Sequence, residues 1–381
     1  MIVKQLRYSQ YDSTSQEWKL TNTTFGKINL IVGENASGKS KILNLISNLG
    51  GLLSGDKPVF ISANYKVTFD SNGKRISYIL RCERGNVVEE RLKINSKNFL
   101  TRGTDGVGKI YYEQLKNEVE FQAPPSQVVT TTRRDSIQHP FLEDLYNWGK
   151  SVRHFRFGTP LGQEGLVVPL EVKEGEPQTP VNPKATHMVV SIFIDGKKKF
   201  SDKFKQSIIE NMRTIGYQIT DVGVGPPHGI SFTGLPGVVG LYVREADLND
   251  ITSQNEMSQG MFRALSLTVQ IAYSEFTQNQ SCILIDDIGE GLDYNRSSSL
   301  VKLLITKAQN NATQLIMATN DRFIMNNVPL EYWCVIQRTG NVSRIFNYRN
   351  SPSLFDEFRL TGLNNFDFFS GRYYLKGSRR N

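Results

Sequence analysis

The spacing of apolar residues changes period sharply within the first fifty positions. Ile28, Leu30, Ile31 and Val32 form a short apolar run broken only by Asn29, as a buried strand does. Eight small and polar residues follow, Gly33 to Ser40. Then Ile42, Leu43, Leu45, Ile46 and Leu49 recur at helical spacing, and Gly50-Gly51 is expected to end that helix. Between 58 and 122, alternating runs such as VFISANYKVTFD and RISYILRCE are split by Ser-Asn-Gly and Arg-Gly-Asn breaks, which predicts an antiparallel β region. A helix is expected after Pro140, within 136–151. The stretch 157–186 is loop-rich, with five prolines. Met188 to Ile194 reads as a strand, Asp195-Gly196 as a turn, and Ser201 as the cap of a following helix. Residues 221–238 are dense in glycine and proline. From 256 the pattern becomes helix (MSQGMFRALSLTVQIAYSEF), strand (CILIDD), helix (297–310) and strand (QLIMATN), the alternation of a parallel sheet.

Composition narrows this picture. The 381 residues suit two domains, or one large α/β domain carrying an insertion. Hydrophobic content of 39% and charged content of 22% exclude a disordered or collagen-like chain. The net charge of +8 permits nucleic-acid contact without requiring it. Cys82, Cys282 and Cys334 form no CxxC pair, and His139, His154, His187 and His228 show no metal-ligand spacing, which argues against a zinc centre and a disulfide framework. No run of 18 apolar residues occurs, and the start MIVKQLRYSQYD lacks a signal-peptide core, so the expected location is cytoplasmic, with no membrane partner.

The informative chemistry begins at Gly33-Glu34-Asn35-Ala36-Ser37-Gly38-Lys39-Ser40, a full G-x-x-x-x-G-K-[ST] phosphate loop between a strand and a helix. Glycines let backbone N–H groups turn toward phosphate oxygens, and the helix N-terminus adds positive potential. Lys39 is the residue to reach the β and γ phosphates, and Ser40 to offer its hydroxyl to Mg²⁺. The acid partner is expected at the end of a buried strand, and CILI-Asp286-Asp287 supplies two carboxylates there. Asp286 is the magnesium-side acid; Asp287 is the candidate to polarise the attacking water.

Four stretches together resemble the ATP-binding-cassette (ABC) ATPases. Gly33–Ser40 resembles their phosphate loop. Met257-Ser258-Gln259-Gly260-Met261 resembles their LSGGQ signature, although by itself it is also an ordinary capped helix start. Asp286-Asp287-Ile288-Gly289-Glu290-Gly291-Leu292-Asp293 is similar to the acid block and the loop after it. Ala318-Thr319-Asn320-Asp321 stands where the switch histidine is found. Gln138 is the candidate for the family glutamine that touches magnesium and water. Two departures accompany the likeness: Asp287 replaces the usual Glu, and Asn320 the usual His. Asn cannot carry a proton, which implies slow turnover, with ATP acting partly as a latch.

The resemblance implies an α/β phosphate-loop NTPase with an ABC-like mixed sheet, an antiparallel β subdomain and an inserted α+β lid. The expected boundaries are 1–156 and 251–350 for the two parts of the ATPase, 157–250 for the insertion and 351–381 for a tail. It implies Mg-ATP bound by Gly33–Ser40, with Ser258, Gln259 and Gly260 acting from a second copy and Asp293 at the seam of a homodimer or larger homo-oligomer. The phrases SIQHPFLEDLYNW, LIDDIGEGLD and LTGLNNFDFF are similar to the stand-alone ATPases of bacterial anti-phage defence and abortive infection, related to the SMC-like overcoming-lysogeny ATPases. About 60 residues follow Asn320, without a carboxylate cluster on strand ends, so a separate effector, a nuclease or toxin, is the expected partner. A nucleic-acid-associated repair or maintenance ATPase is the alternative. Lys197-Lys198-Lys199 is expected at a solvated hairpin tip, with a phosphate-backbone contact as the alternative. The basic, aromatic tail Arg372–Arg380 admits nucleic acid, a docking role or a frayed end. Trp148, Trp333, Cys282 and Cys334 are expected in the core.

Overall fold

The computed structural model describes residues 1–167, 181–182, 184–229, 237–277 and 281–379. Much of the proline-rich stretch 157–186, part of 221–238 and Arg380 lie outside them. The chain forms two compact units. The first comprises Met1–Val152, Gln280–Leu284 and Thr313–Asn381; the second comprises Arg153–Asn279 and Ile285–Ala312.

In chain order the elements are β1 (Ile2–Gln10), β2 (Trp18–Thr24), β3 (Ile28–Val32), α1 (Lys39–Leu53), β4 (Ser62–Ser71), β5 (Lys74–Glu83), β6 (Asn86–Ile94), β7 (Lys97–Arg102), β8 (Val107–Tyr112), β9 (Asn117–Gln122), α2 (Val129–Thr132) and α3 (Pro140–Ser151). Then come β10 (Val152–Arg156), α4 (Val189–Ile215), β11 (Ile219–Gly225), β12 (Gly240–Glu245), β13 (Ile251–Ser253), α5 (Gln259–Phe276), β14 (Ser281–Asp286) and α6 (Tyr294–Asn310). The chain closes with β15 (Thr313–Thr319), α7 (Arg322–Asn327), β16 (Trp333–Thr339), β17 (Val342–Asn347), α8 (Pro352–Arg359), α9 (Asn365–Ser370) and a 3₁₀ turn at Tyr373–Arg379.

The sheet of the first unit runs β14-β15-β3-β16-β17-β2-β1-β4-β5-β6-β7-β8-β9. Around β3 it is parallel: β15 and β16 flank it with Leu315 opposite Ile28 and Trp333 opposite Leu30. All five residues of β3 are buried, as a strand covered on both faces requires. From β2 onward the ladder is antiparallel, and burial alternates as in Ala63, Tyr65, Val67 and Phe69 of β4. Those inward residues pack with Ile42, Leu45, Ile46 and Leu49 of α1 and with Leu145 and Trp148 of α3 in one core. Trp148 meets Phe69 edge-on at 4.7 Å, and Trp333 is fully buried with its indole N–H donating to the Val328 carbonyl. All three cysteines are buried and unbridged.

Gly50-Gly51 does not end α1, contrary to expectation; the helix continues to Leu53. A Cβ on Gly149 of α3 would lie 2.7 Å from the Gly50 carbonyl oxygen, so these glycines serve a close helix–helix approach.

One buried ion pair crosses the antiparallel region. Arg102 and Glu90 are both wholly buried and meet at 3.2 Å. Glu90 also accepts from the Tyr78 hydroxyl and the Val129 N–H, while Arg102 donates to the Gln127 and Pro124 carbonyls. The opposite face of the same strands is solvated. There Arg7 stands directly across from Lys66, and the row continues through Ile79, Arg91 and Thr101 to Lys109. Arg91 pairs with Glu89. Among the described residues, Arg7, Lys66 and Lys109 have no carboxylate partner.

The second unit holds the antiparallel sheet β11-β12-β13 and the helices α4, α5 and α6. Residues 189–200, expected as a strand and turn, are helical. Val189, Val190, Ile192, Phe193 and Gly196 lie buried at i, i+1, i+3, i+4 and i+7, and α4 packs against α5, whose residues from Gly260 to Ser274 are all buried. Gly196 is a packing position, since a Cβ there would lie 2.5 Å from the Phe204 ring. Ser201 (φ 55°) marks a kink in the helix rather than a cap. Lys197 and Lys199 are accordingly helical and pair with Asp202 and Asp195, not at a hairpin tip. None of the described helices is long and apolar enough to cross a membrane.

Candidate functional site

The phosphate-loop residues sit between β3 and α1. Gly33 allows no side chain: a Cβ would lie 2.5 Å from Ile336 Cγ2 and 2.8 Å from the Ile336 carbonyl oxygen. Ala36 (φ 59°) and Gly38 (φ 109°) both adopt left-handed backbone, which bends the segment into a loop before Lys39 opens the helix. The buried Lys39 Nζ donates to the carbonyl oxygens of Gly33 (2.9 Å) and Glu34 (3.1 Å). The Ser37 hydroxyl is buried and bonds to nothing among the described residues. A buried hydroxyl in the loop and an ammonium group on the first residue of the helix after it are a donor set fit for phosphate oxygens. Ser40 is exposed on the first turn of α1.

Neighbouring strands bring further groups to this loop within the first unit. Thr319 pairs with Val32, so Asn320 follows at the loop, and its amide donates to Asn35 Oδ1 at 3.0 Å. From β16, Arg338 Nη1 approaches the Ala36 carbonyl at 3.4 Å while its Nε donates to Gly340. Lys41 lies 3.9 Å over the Trp18 ring; burial, and then the charge of Arg338, hold its pKa below the ordinary lysine value. Arg372 Nη2 meets Glu34 Oε1 at 3.0 Å.

The second unit carries the signature-like segment and the acid block. Ser258 caps α5, accepting from the Met261 N–H at 3.2 Å, and Gln259 opens the helix. Gly260 packs so closely that a Cβ would lie 2.2 Å from the Gly291 carbonyl oxygen. Arg263 is buried and donates to the Glu290 carbonyl at 3.0 Å, which ties the signature helix to the loop after the acids. Asp286 ends β14, buried, and its carbonyl accepts from the Phe157 N–H at 3.0 Å. Asp287 follows with left-handed backbone (φ 53°). Asp293 caps α6 by accepting from the Arg296 N–H and pairs with the Arg296 guanidinium; the N–H bond and then that charge hold its carboxyl below the usual range.

Gln138 does not reach the phosphate loop. It is exposed, its carbonyl accepts from the Glu113 N–H at the β8–β9 turn, and β8 lies nine strands from β3 in the sheet. Its expected contact with magnesium is corrected on that ground: α3 begins beside the far hairpin, not beside the loop. The segment that does meet the acid block is Phe157–Thr159. A Cβ on Gly158 would lie 3.2 Å from Glu290 Oε2 and 3.9 Å from Asp287 Oδ2, and Gln163 donates to the Met257 carbonyl at 2.8 Å. Sequence reading missed this segment, Arg263 and Arg338, and took Arg372 only as the start of a basic, aromatic tail. Only Arg263 carried a local signal, a charge inside an otherwise apolar helical run.

No family model matches the chain, and no curated protein matches it. Solved structures do. An SMC head bound to the C-winged helix domain of ScpA is similar with a TM-score of 0.53 at 14% identity, over 93% of this chain and 100% of that one. The fold is that of an SMC head. A second SMC head, from Pyrococcus furiosus, has an extended coiled coil and is bound to the C-terminal domain of ScpA. It gives 0.51 at 11% identity, over 94% and 99% of the two chains. At such identities the likeness establishes the fold and nothing finer.

Proposed function

We propose that this chain is an ABC-type ATPase that binds Mg-ATP and turns it over slowly. The observation that carries this is the phosphate loop itself: on an SMC-head fold, Lys39 is held by the Gly33 and Glu34 carbonyls at the head of α1. Lys39 and the loop N–H groups hold the triphosphate. Ser40 and Asp286 hold magnesium, which when bound neutralises charge on the phosphate oxygens. Asp287 orients the attacking water and Asn320 hydrogen-bonds near the terminal phosphate. Ser258, Gln259 and Gly260 of one copy face the phosphates held by another, with Asp293 close to that seam, so ATP closes a homodimer or larger homo-oligomer. Its output is control of a separate effector, a nuclease or toxin, in anti-phage defence; ScpA on the similar SMC heads supports a protein partner of some kind.

Equilibrium binding of ATP to the wild type and to Lys39→Ala tests the reading: the variant loses binding, and equal affinity for both sinks it. Asp287→Asn is expected to trap an ATP-bound assembly, read as a larger particle mass with ATP. Co-expression with neighbouring genes tests the effector: protection against phage that survives loss of the ATPase gene removes it.

A second reading, a nucleic-acid-associated ATPase, is favoured by the outer face of β1–β8. Like charges directly opposite one another, as Arg7 and Lys66 are, cost stability unless an anion lies across them. Arg7, Lys66, Arg91 and Lys109 span five strand spacings, roughly 24 Å. If this face holds a phosphate backbone, duplex binding falls steeply with salt, and Arg7→Ala/Lys66→Ala lowers the slope by about two. Salt-independent binding, or none, removes this reading.

A further inference from the structure

The C-terminal turn brings a cation to the phosphate loop, and the proposed function does not use it. Tyr374 is buried against Phe346, Phe368 and Phe369, and Tyr373 packs on Phe358 at 4.9 Å. Those contacts fix the chain at the point where Arg372 leaves it. Arg372 then reaches Glu34 Oε1 at 3.0 Å. Both side chains are about two-thirds exposed, 65% and 67%, so the pair adds little stability and exchanges readily. It borders a cleft of about 430 Å³ walled by Glu34, Ala36, Ser37, Arg338, Arg372 and Tyr374. Two guanidinium groups face one carboxylate there, which leaves the cleft net positive.

Glu34 thus holds two cations at once: its carbonyl takes Lys39 Nζ and its carboxylate takes Arg372. We propose that Arg372 is a reader of the terminal phosphate, parked on Glu34 until a nucleoside triphosphate binds. The inference rests on the ATP-binding reading above. A γ-phosphate carries more charge than a carboxylate and offers three oxygens to a planar guanidinium, so the exchange favours phosphate. A diphosphate presents no group at that place and leaves the Glu34 pair intact. The C-terminal segment thereby distinguishes ATP from ADP through one side chain.

The test is equilibrium binding of Mg-ATP and Mg-ADP to the full chain by calorimetry, for the wild type, Arg372→Ala, Arg372→Lys, Glu34→Gln and Lys376→Ala. Lys376 shares the turn but lies over the Tyr373 ring instead of at Glu34. Arg372→Ala is expected to lose about tenfold in ATP affinity, with ADP affinity within about twofold. Arg372→Lys keeps part of the difference, Glu34→Gln keeps or gains ATP affinity, and Lys376→Ala changes neither. Equal losses for both nucleotides in Arg372→Ala, or none, overturn the proposal while the ATP-binding reading stands. A loss of ATP affinity in Glu34→Gln matching that of Arg372→Ala marks the pair as a structural tie and overturns it too. A wild type that binds neither nucleotide overturns both.

Discussion

The side-chain amide of Asn320 donates to Asn35 Oδ1 at 3.0 Å, which puts the end of β15 in direct contact with the phosphate loop. Asn320 can donate and accept but cannot take up a proton, so whatever it gives a bound nucleotide is a hydrogen bond. Turnover in the wild type is expected below about 10 per second. Asn320→Ala is expected to lower kcat by about tenfold, the value of one hydrogen bond near a charged group, with KM for ATP within about threefold. Steady-state phosphate release checks both; an unchanged kcat in the variant removes Asn320 from the reaction.

Gly260 stands where a Cβ meets backbone, not a flexible side chain. Gly260→Ala must push the loop at Gly291 away from the signature helix. The expected cost is about 1–3 kcal/mol, measured as a lower urea midpoint. An unchanged midpoint means the two segments are looser than their spacing implies.

Glu90 and Arg102 form a wholly buried pair held also by the Tyr78 hydroxyl, the Val129 N–H and the Gln127 and Pro124 carbonyls. Burial pushes the Glu90 carboxyl up, and Arg102 and the Tyr78 hydroxyl pull it down. Arg102→Met strands the carboxylate and is expected to cost about 3–5 kcal/mol. Adding Glu90→Leu restores part of that, because no buried charge remains; the Gln127 and Pro124 carbonyls still lack their donor. Urea unfolding of the single and double variants decides. A double variant less stable than Arg102→Met means the lone Glu90 carboxylate is not stranded by the loss of its partner.

The three thiols give a pH prediction. Burial pushes Cys82 and Cys282 up to about 12 and Cys334 to about 11, from an ordinary 9.0. The folded state favours the neutral thiol. That contribution is complete below about pH 9 and is lost as pH rises from there toward about 12. Stability is therefore expected to fall across that alkaline window, and less so in the Cys→Ala triple variant. At about pH 8 a thiol reagent should label no cysteine in the native chain and all of them after denaturation. Rapid native labelling contradicts the burial.

The phosphate loop was legible because its elements are contiguous: an apolar run, two glycines, Lys39 and a helical repeat all lie between positions 28 and 49. The alternating strands β4–β9 were legible for the same reason. Val189–Ile194 was misread because a run of mostly β-branched apolar residues fits a strand and a buried helix equally well, and only the packing against α5 decides between them. Gln138 was misassigned because reach to the loop depends on where α3 starts, nine strands away in the sheet. Arg338 was invisible, and Arg372 was legible only as the start of a basic tail, since they meet the loop at sequence separations of 302 and 338.

The position of β3 between β15 and β16 also sets a timetable. Asn29 bonds to the Leu315 carbonyl, 286 residues later, and both strands that flank β3 leave the ribosome long after it. At roughly 5–20 residues per second, the most apolar strand of the first unit waits for about 15 to 60 seconds with neither neighbour made. The nascent chain carries an unpaired, sticky edge for most of its translation. Productive folding in the cell then depends on what shields that edge in the meantime, and a ribosome stalled before residue 313 releases a chain destined for aggregation or proteolysis.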